Sequence, residues 1–375
     1  MIPVFKPSVG EEELDALRES FSTGWLGLGP KTKQFESEFA GYLGIKFAVG
    51  TSSATAALHL ALKALNIEGG EVITTAMTFV STNHAILYNN AIPVFADIEE
   101  DTLNIDVAEI ERLIGPRTKA IMVVHYGGHA CDMDPILDLA KAKGVAVVED
   151  AAHACGGEYK QRKLGTLGEF GCFSFHAVKN LTTGEGGMIV TSSEDLAERL
   201  RALRWLGITR STYERSGESR YAWEYTVAEV GFKAHMNDIA ASIGLVQLRK
   251  LDALNARRRQ IVTTYNKAFS QISWVSIPAE KPYARSALHN YVIKVPSSVR
   301  DDLISFLADC GIAASVHYFP NHLYSAYAPF RKSLPVTERV WKRLITLPLY
   351  PDLTPAEIDH IIATVQEFGR SRCLQ

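Results

Sequence analysis

"KAIMVVHYGGHACDMDPILDLAKAKGVAVVEDAA", Lys119–Ala152, places two apolar runs on either side of one helical pattern. "AIMVVH" and "VAVVE" are continuously apolar rather than alternating, as in strands covered on both faces. Between them "DPILDLAKAKG" has helical spacing, an acidic start and a glycine stop. Strand, helix and strand in this order predict a parallel pair within an α/β sheet.

The alternation extends in both directions. Upstream, "ATAALHLALKAL", "STNHAILYNN" and "VAEIERLI" read as helices, with "EVITTA" and "IPVFADI" as strands. Downstream, the short strands "CFSF" and "GMIVTS" flank the stretch "FSFHAVKNLTTGEGGMIV", Phe173–Val190, and "EDLAERLRALRWLG" is a helix with a glycine stop. A long helical pattern, "MNDIAASIGLVQLRKLDALNARRRQIVTTYNKAFSQI", follows. Its length suits an element that links two domains or packs on a second subunit. Beyond it "HNYVIKV", the helix "RDDLISFLADCG", "IAASVHYF" and the helix "PAEIDHIIATVQEFG" predict a small α+β C-terminal domain, joined by the N-terminal segment. The expected division is residues 1–250 for the large domain and 251–375 for the small one.

A chain of 375 residues exceeds the usual single-core size, consistent with two units. Its net charge of −3 offers no basic excess to hold a nucleic-acid backbone, so nucleic acid is not an expected partner. No apolar run nears the roughly 20 residues of a membrane helix, and the start has no signal-peptide pattern. A cytoplasmic protein without a membrane partner is expected. The five cysteines are an odd count without a CxxC pair, and read as reduced thiols.

Asp150 ends the apolar run "VAVVED", and ligands of open α/β sheets bind beyond the carboxyl ends of strands. Alone, such an acid is more often a helix cap. Lys179 lies 29 residues on, also beyond a short apolar strand, so the sheet can bring both side chains to one pocket. A lysine in an apolar pocket is costly as an ammonium, so its free amine becomes available as a nucleophile able to form a Schiff base. A carboxylate opposite it suits a protonated pyridine nitrogen, which makes the pair fit pyridoxal phosphate. In "GTSSATAALHLAL", Ser52, Ser53, Ala54 and Thr55 open an apolar helix, where free amides and the helix dipole favour a phosphate; the competing reading is an ordinary serine cap. Phe79 in "TTAMTFVST" can stack on a flat ring. His125, His129, Cys131, Asp132 and Asp134 have the chemistry of metal ligands, but their segment reads as strand, glycine turn and helix cap, and no metal is expected.

Seven stretches resemble the DegT/DnrJ/EryC1/StrS family of sugar aminotransferases: "STGWLGLGPKTKQFESEFAGYLG", "SSATAALHLAL", "TFVSTNHAI", "PVFADIEEDTLNID", "VEDAAHACGGEY", "GTLGEFGCFSFHAVKNLTTGEGG" and "MNDIAASIGLVQLRKL". They occur in family order across nearly the whole chain. The resemblance implies the fold-type I architecture of pyridoxal-phosphate (PLP) enzymes, an α/β domain with a mostly parallel seven-stranded sheet flanked by helices plus the small α+β domain. It implies that Lys179 is the Schiff-base lysine, Asp150 the partner of the pyridine nitrogen and Phe79 the stacking ring. His153 would lie near the phenolic oxygen, and Ala54, Thr55 and Ser174, with Ser53 beside them, would bind the phosphate.

Family members are homodimers with shared active sites, the crossing segment here being "GFKAHMNDI". Lys233 and His235 replace the Asn and Arg of the commoner "NYRM" form, and one of Lys233, His235 or Asn237 would reach the partner's cofactor phosphate. Dehydratases of the family carry histidine at the lysine position, so Lys179 implies transamination. An amino acid, expected to be L-glutamate, would convert the cofactor to pyridoxamine phosphate, and a keto sugar would accept the amine, with Lys179 carrying the proton between Cα and C4′. "TTGEGG" and the "GW…GP" segment resemble the branch acting on nucleotide-linked 4-keto sugars for polysaccharide or glycoconjugate biosynthesis, lipopolysaccharide among them. The alternatives are a 3-keto sugar, a sugar not linked to a nucleotide, and a non-catalytic PLP-binding regulator. Trp25, Lys31, His317, Tyr318 and His322 are the expected sugar-binding residues; His176 stays open between substrate contact and packing.

Overall fold

The protein is described here by a computed structural model covering residues 1–210, 213 and 224–373. Two helices, α1 (Glu11–Thr23) and α2 (Pro30–Leu43), precede the alternating region. That region runs β1 (Phe47–Thr51), α3 (Ala54–Ala64), β2 (Glu71–Thr75), α4 (Val80–Tyr88), β3 (Ile92–Ala96), α5 (Val107–Leu113), β4 (Thr118–Val124), α6 (Met133–Lys143) and β5 (Ala146–Asp150). A small hairpin, β6 (Glu158–Tyr159) and β7 (Arg162–Lys163), leads to β8 (Phe170–Ser174), β9 (Gly187–Thr191) and α7 (Glu194–Leu203). The chain continues through α8 (Asp238–Phe269), β10 (Ala284–Arg285), β11 (Tyr291–Lys294), α9 (Arg300–Asp309), α10 (Pro335–Val340), β12 (Leu344–Leu347) and α11 (Pro355–Ser371).

Seven strands form one sheet in the order β1-β9-β8-β5-β4-β2-β3. β9 runs antiparallel to β1 and β8, whereas the remaining pairs are parallel. The mostly parallel sheet expected from the opening stretch is therefore present. Its two faces are separate cores: Phe173 and Phe175 pack with Phe35 and Phe39, while Phe170 and Cys172 join Leu58 and Leu60 on the other side. The period of two along β8 and just past it sorts these side chains between the layers.

The C-terminal unit has β11 paired antiparallel with β12 and a core that includes Leu303, Leu307, Ile361 and Val365. "IAASVHYF", part of the expected α+β pattern, forms no strand and makes only isolated bridges, Ile312 with Ile2 and Ser315 with Thr346. The chain leaves the sheet edge there because Val316, His317 and Tyr318 turn to line the main cavity. The N-terminal segment adds to this unit, with Ile2 N–H on Gly311 O at 2.7 Å and Leu349 N–H on Val4 O at 3.0 Å. The expected division after residue 250 falls inside α8, a helix of 32 residues. Ala241, Leu245, Leu248 and Leu251 of this helix sit in the large core, and Ile261, Tyr265 and Phe269 in the small one.

The first turn of α8 also secures the start of α2. Asp238, buried, accepts hydrogen bonds from the amides of Gly29 (3.0 Å), Lys31 (3.1 Å) and Thr32 (2.9 Å) and from the Thr32 hydroxyl (2.7 Å). A remote carboxylate thus caps α2, satisfying amides that no residue of the helix can reach. Asp238→Ala strands these donors and is expected to cost about 2–3 kcal/mol, read as a lower urea midpoint; an unchanged midpoint would remove this role.

Candidate active site

The carboxyl ends of the parallel strands open into a cavity of about 750 Å³. Asp150 is the last residue of β5 and Lys179 follows β8, and both line it, as the crevice rule for open α/β sheets anticipates. Asp150 is buried; one carboxylate oxygen accepts from the Thr82 hydroxyl at 2.7 Å and the other from the Ala152 amide at 3.1 Å. Burial pushes its pKa up, against the pull of those two bonds and of Lys179. Lys179 is half-buried, opening on the cavity from deep inside the protein. Desolvation lowers its pKa to about 8 and Asp150 opposes the shift, so the neutral amine is far more accessible near neutral pH than that of an ordinary lysine.

A third wall is the start of α3. The Ser53 hydroxyl accepts from Ala56 N–H at 3.1 Å, so the serine is an N-cap after all. The first amides of a helix have no intrahelical partner, and Ala54 and Thr55 carry them to the cavity wall. Gly187 of β9 allows this closeness: a Cβ there would lie 2.5 Å from the Ser53 backbone. Ser174 is buried on the same wall, its Oγ 3.4 Å from the His176 amide. Phe79 is 58% exposed on the cavity wall, its ring tilted against that of Tyr318 with centroids 6.2 Å apart.

His153 and Tyr318 meet at the cavity. His153 Nδ1 accepts from Gly127 N–H at 3.3 Å, which leaves Nε2–H to donate to the Tyr318 oxygen at 3.0 Å. Burial, with Lys179 and His317 adding to it, holds His153 neutral, and burial also pushes the Tyr318 phenol up. His317 lines the cavity, with Nδ1 2.8 Å from the Thr346 hydroxyl and a pKa lowered to about 4 by burial. His176 is exposed on the cavity wall, 3.8 Å from Glu185. It faces the site and is not packing.

Other expected residues lie elsewhere. His322 is fully buried against Phe95, with Nε2 3.2 Å from Glu338, behind the cavity and not in it. Its neighbour Asn321 holds the loop instead, donating to Thr78 O and accepting from Asn83. Trp25 packs edge-on to Tyr213 and donates to Leu28 O, and Lys31 pairs with Glu19 at 2.8 Å; neither lines the cavity of its own chain. Lys233 lies over the Trp205 ring, His235 packs on the same ring, and Asn237 caps α8 by accepting from Ala240 N–H. These three also lie away from that cavity.

The candidate metal ligands have structural work. His125 Nδ1 accepts from Cys131 N–H, so Nε2–H donates to Glu149, whose oxygens also take the amides of Gly165, Leu167 and Gly168. His129 accepts at Nε2 from Lys281 N–H, and Tyr159 donates to Asp132. Among the cavity residues that escaped the sequence reading are Thr82, Asn321, Phe5 and His289. Thr82 had a local signal, four residues after Thr78, which lies just ahead of α4, with the two hydroxyls 2.8 Å apart.

A half-buried amine and a buried carboxylate across one cavity, with a helix N-terminus beside them on a mostly parallel sheet, define a fold-type I PLP enzyme. Residues 7–366 match the DegT/DnrJ/EryC1/StrS aminotransferase family, and the chain belongs to it. It is a PLP-dependent sugar aminotransferase. The spore coat polysaccharide biosynthesis protein SpsC of Bacillus subtilis is 43% identical over 376 residues, covering 98% of this chain and 96% of its own. The aminotransferase TlmJ of Streptoalloteichus hindustanus shares the fold with a TM-score of 0.94 and 38% identity, both chains covered in full. Spr1654 of Streptococcus pneumoniae, described as a sugar aminotransferase, gives 0.93 and 33% in its PMP form, covering 99% of this chain and 100% of that one.

Proposed function

We propose that the chain transfers an amino group from L-glutamate to C4 of a nucleotide-linked 4-keto sugar, in the cytoplasm, for a surface polysaccharide such as lipopolysaccharide. The observation that carries the reading is the placement of Lys179, Asp150 and the α3 N-terminus on three walls of one cavity. PLP supplies an electron sink when bound, and the S. pneumoniae relative is known in PLP and PMP forms. Lys179 holds the cofactor. The Asp150 carboxylate, oriented by Thr82 and Ala152, favours a positive charge on the ring nitrogen; Ala54, Thr55 and Ser174 take the phosphate, and Phe79 covers the ring.

Lys179 Nζ then moves protons. It takes one from Cα of the amino donor and later returns one to the sugar carbon that receives the nitrogen. His176, Glu185, His317 and Tyr318 face the space left for the sugar. SpsC is named for polysaccharide biosynthesis, which supports a sugar acceptor destined for a polymer.

A homodimer completes the reading. Tyr225, Val227 and Val230 are 54%, 55% and 85% exposed on the segment that leads to Lys233, His235 and Asn237. Such an apolar stretch suits a second copy of the chain, into whose site one of those three polar residues would reach. Glutamate is expected to bleach the bound cofactor's visible band. A panel of UDP-, dTDP- and GDP-linked 3- and 4-keto sugars should restore it only with 4-keto members; restoration by 3-keto sugars alone would reject the C4 assignment.

A further inference from the structure

We propose that His289 positions the free amine of Lys179, accepting one of its hydrogens at Nε2 and thereby turning the nitrogen lone pair into the cavity. The two nitrogens lie 3.4 Å apart, and they belong to residues 110 positions apart in the chain. His289 is buried, two residues ahead of β11, so the contact joins the C-terminal unit to the reactive residue of the large one.

The hydrogen-bond network settles which nitrogen accepts. Asn180 donates from Nδ2 to the Ala287 carbonyl at 2.7 Å and to Asn255 Oδ1 at 2.8 Å. A carbonyl can only accept, so the Asn180 amide cannot be flipped, and its Oδ1 must face His289 Nδ1 at 3.2 Å. His289 therefore carries its hydrogen on Nδ1 and presents a lone pair on Nε2. The ring is held by two neighbours, Phe5 stacked with centroids 5.2 Å apart and His153 tilted against it at 4.5 Å. The charged and titratable groups around it are Lys179, His153, Arg258 and His317, and with burial they keep the imidazole neutral. His289 takes no proton in this role. It fixes the direction of an otherwise flexible amine.

The inference rests on Lys179 being the cofactor's amine. Borohydride reduction of the wild-type holoenzyme followed by peptide mapping tests that assignment separately; a label elsewhere would overturn both. The test of His289 is the rate at which apoprotein captures PLP covalently, followed by absorbance against pH, together with the glutamate half-reaction in a single turnover. Wild-type capture should rise with pH through a midpoint of about 8, as the Lys179 amine loses its proton. His289→Phe removes the acceptor: plateau capture and the half-reaction should both fall about 10²-fold, with the capture midpoint moved lower. His289→Gln, which keeps an acceptor near the Nε2 position, should recover most of both rates, and a packing role alone would not be rescued this way. Should phenylalanine prevent folding, His289→Leu asks the same question. With the label on Lys179, wild-type rates and midpoint in His289→Phe or His289→Leu, or a His289→Gln as slow as they are, would overturn the proposal.

Discussion

Lys179→Ala is expected to lower turnover by about 10⁴-fold, the upper range for loss of a positioned acid–base group. The amine has two duties in the proposed reaction, holding the cofactor and carrying protons between carbons, and alanine removes both. Binding should survive in part, because the α3 amides, Ser174, Phe79 and Asp150 do not depend on the lysine side chain. The variant should therefore retain PLP on a desalting column yet take no label from borohydride. Its glutamate half-reaction, followed by absorbance, should be slow at every pH. A wild-type rate would place the proton transfer on another residue.

Asp150→Asn is the second large effect, expected to slow both half-reactions by about 10²–10³-fold, comparable to removing one electrostatic contact from a preorganised site. Asparagine matches the shape, and the Thr82 hydroxyl can turn to accept from the new amide, so folding should tolerate the change. What is lost is the charge. Asp150 is a buried carboxylate that burial alone drives toward protonation; a positive ring nitrogen beside it pulls the other way, and the pair keeps each other ionised. The variant should bind PLP with the label still on Lys179, separating its failure from that of the lysine variant. Near-wild-type rates in Asp150→Asn would reject the carboxylate's electronic role.

Most of the sheet was legible because buried strands and amphipathic helices write different periods, and "AIMVVH", "VAVVE" and the helix between them keep theirs. Asp150 and Lys179 were legible for the same reason: each follows a strand whose direction the pattern gives. His317 and His322 were not separable, since five positions apart in one loop they look alike. Only the turn after Pro320, with Asn321 tied to Thr78 and Asn83, sends one to the cavity and the other behind Phe95. Trp25 and Lys31 took their expected roles from resemblance, while their segment is placed by Asp238, more than 200 positions away. His289 had no local signal at all. It precedes an ordinary buried strand, and only the packing of one unit on the other brings it to Lys179.

The helix shared by the two cores sets the mechanics of the enzyme. Its 32 residues form a rod about 48 Å long at 1.5 Å per residue, and side chains at its two ends are embedded in different units. The C-terminal unit therefore cannot pivot as a free lobe without flexing that rod or unseating one of its ends. His289, His317 and Tyr318 ride on that unit, and Phe5 is hydrogen-bonded into it through the neighbouring Val4. Stiffness at one place in the molecule becomes alignment tolerance at another: the rod fixes how far the distal side chains can drift from the amine they face.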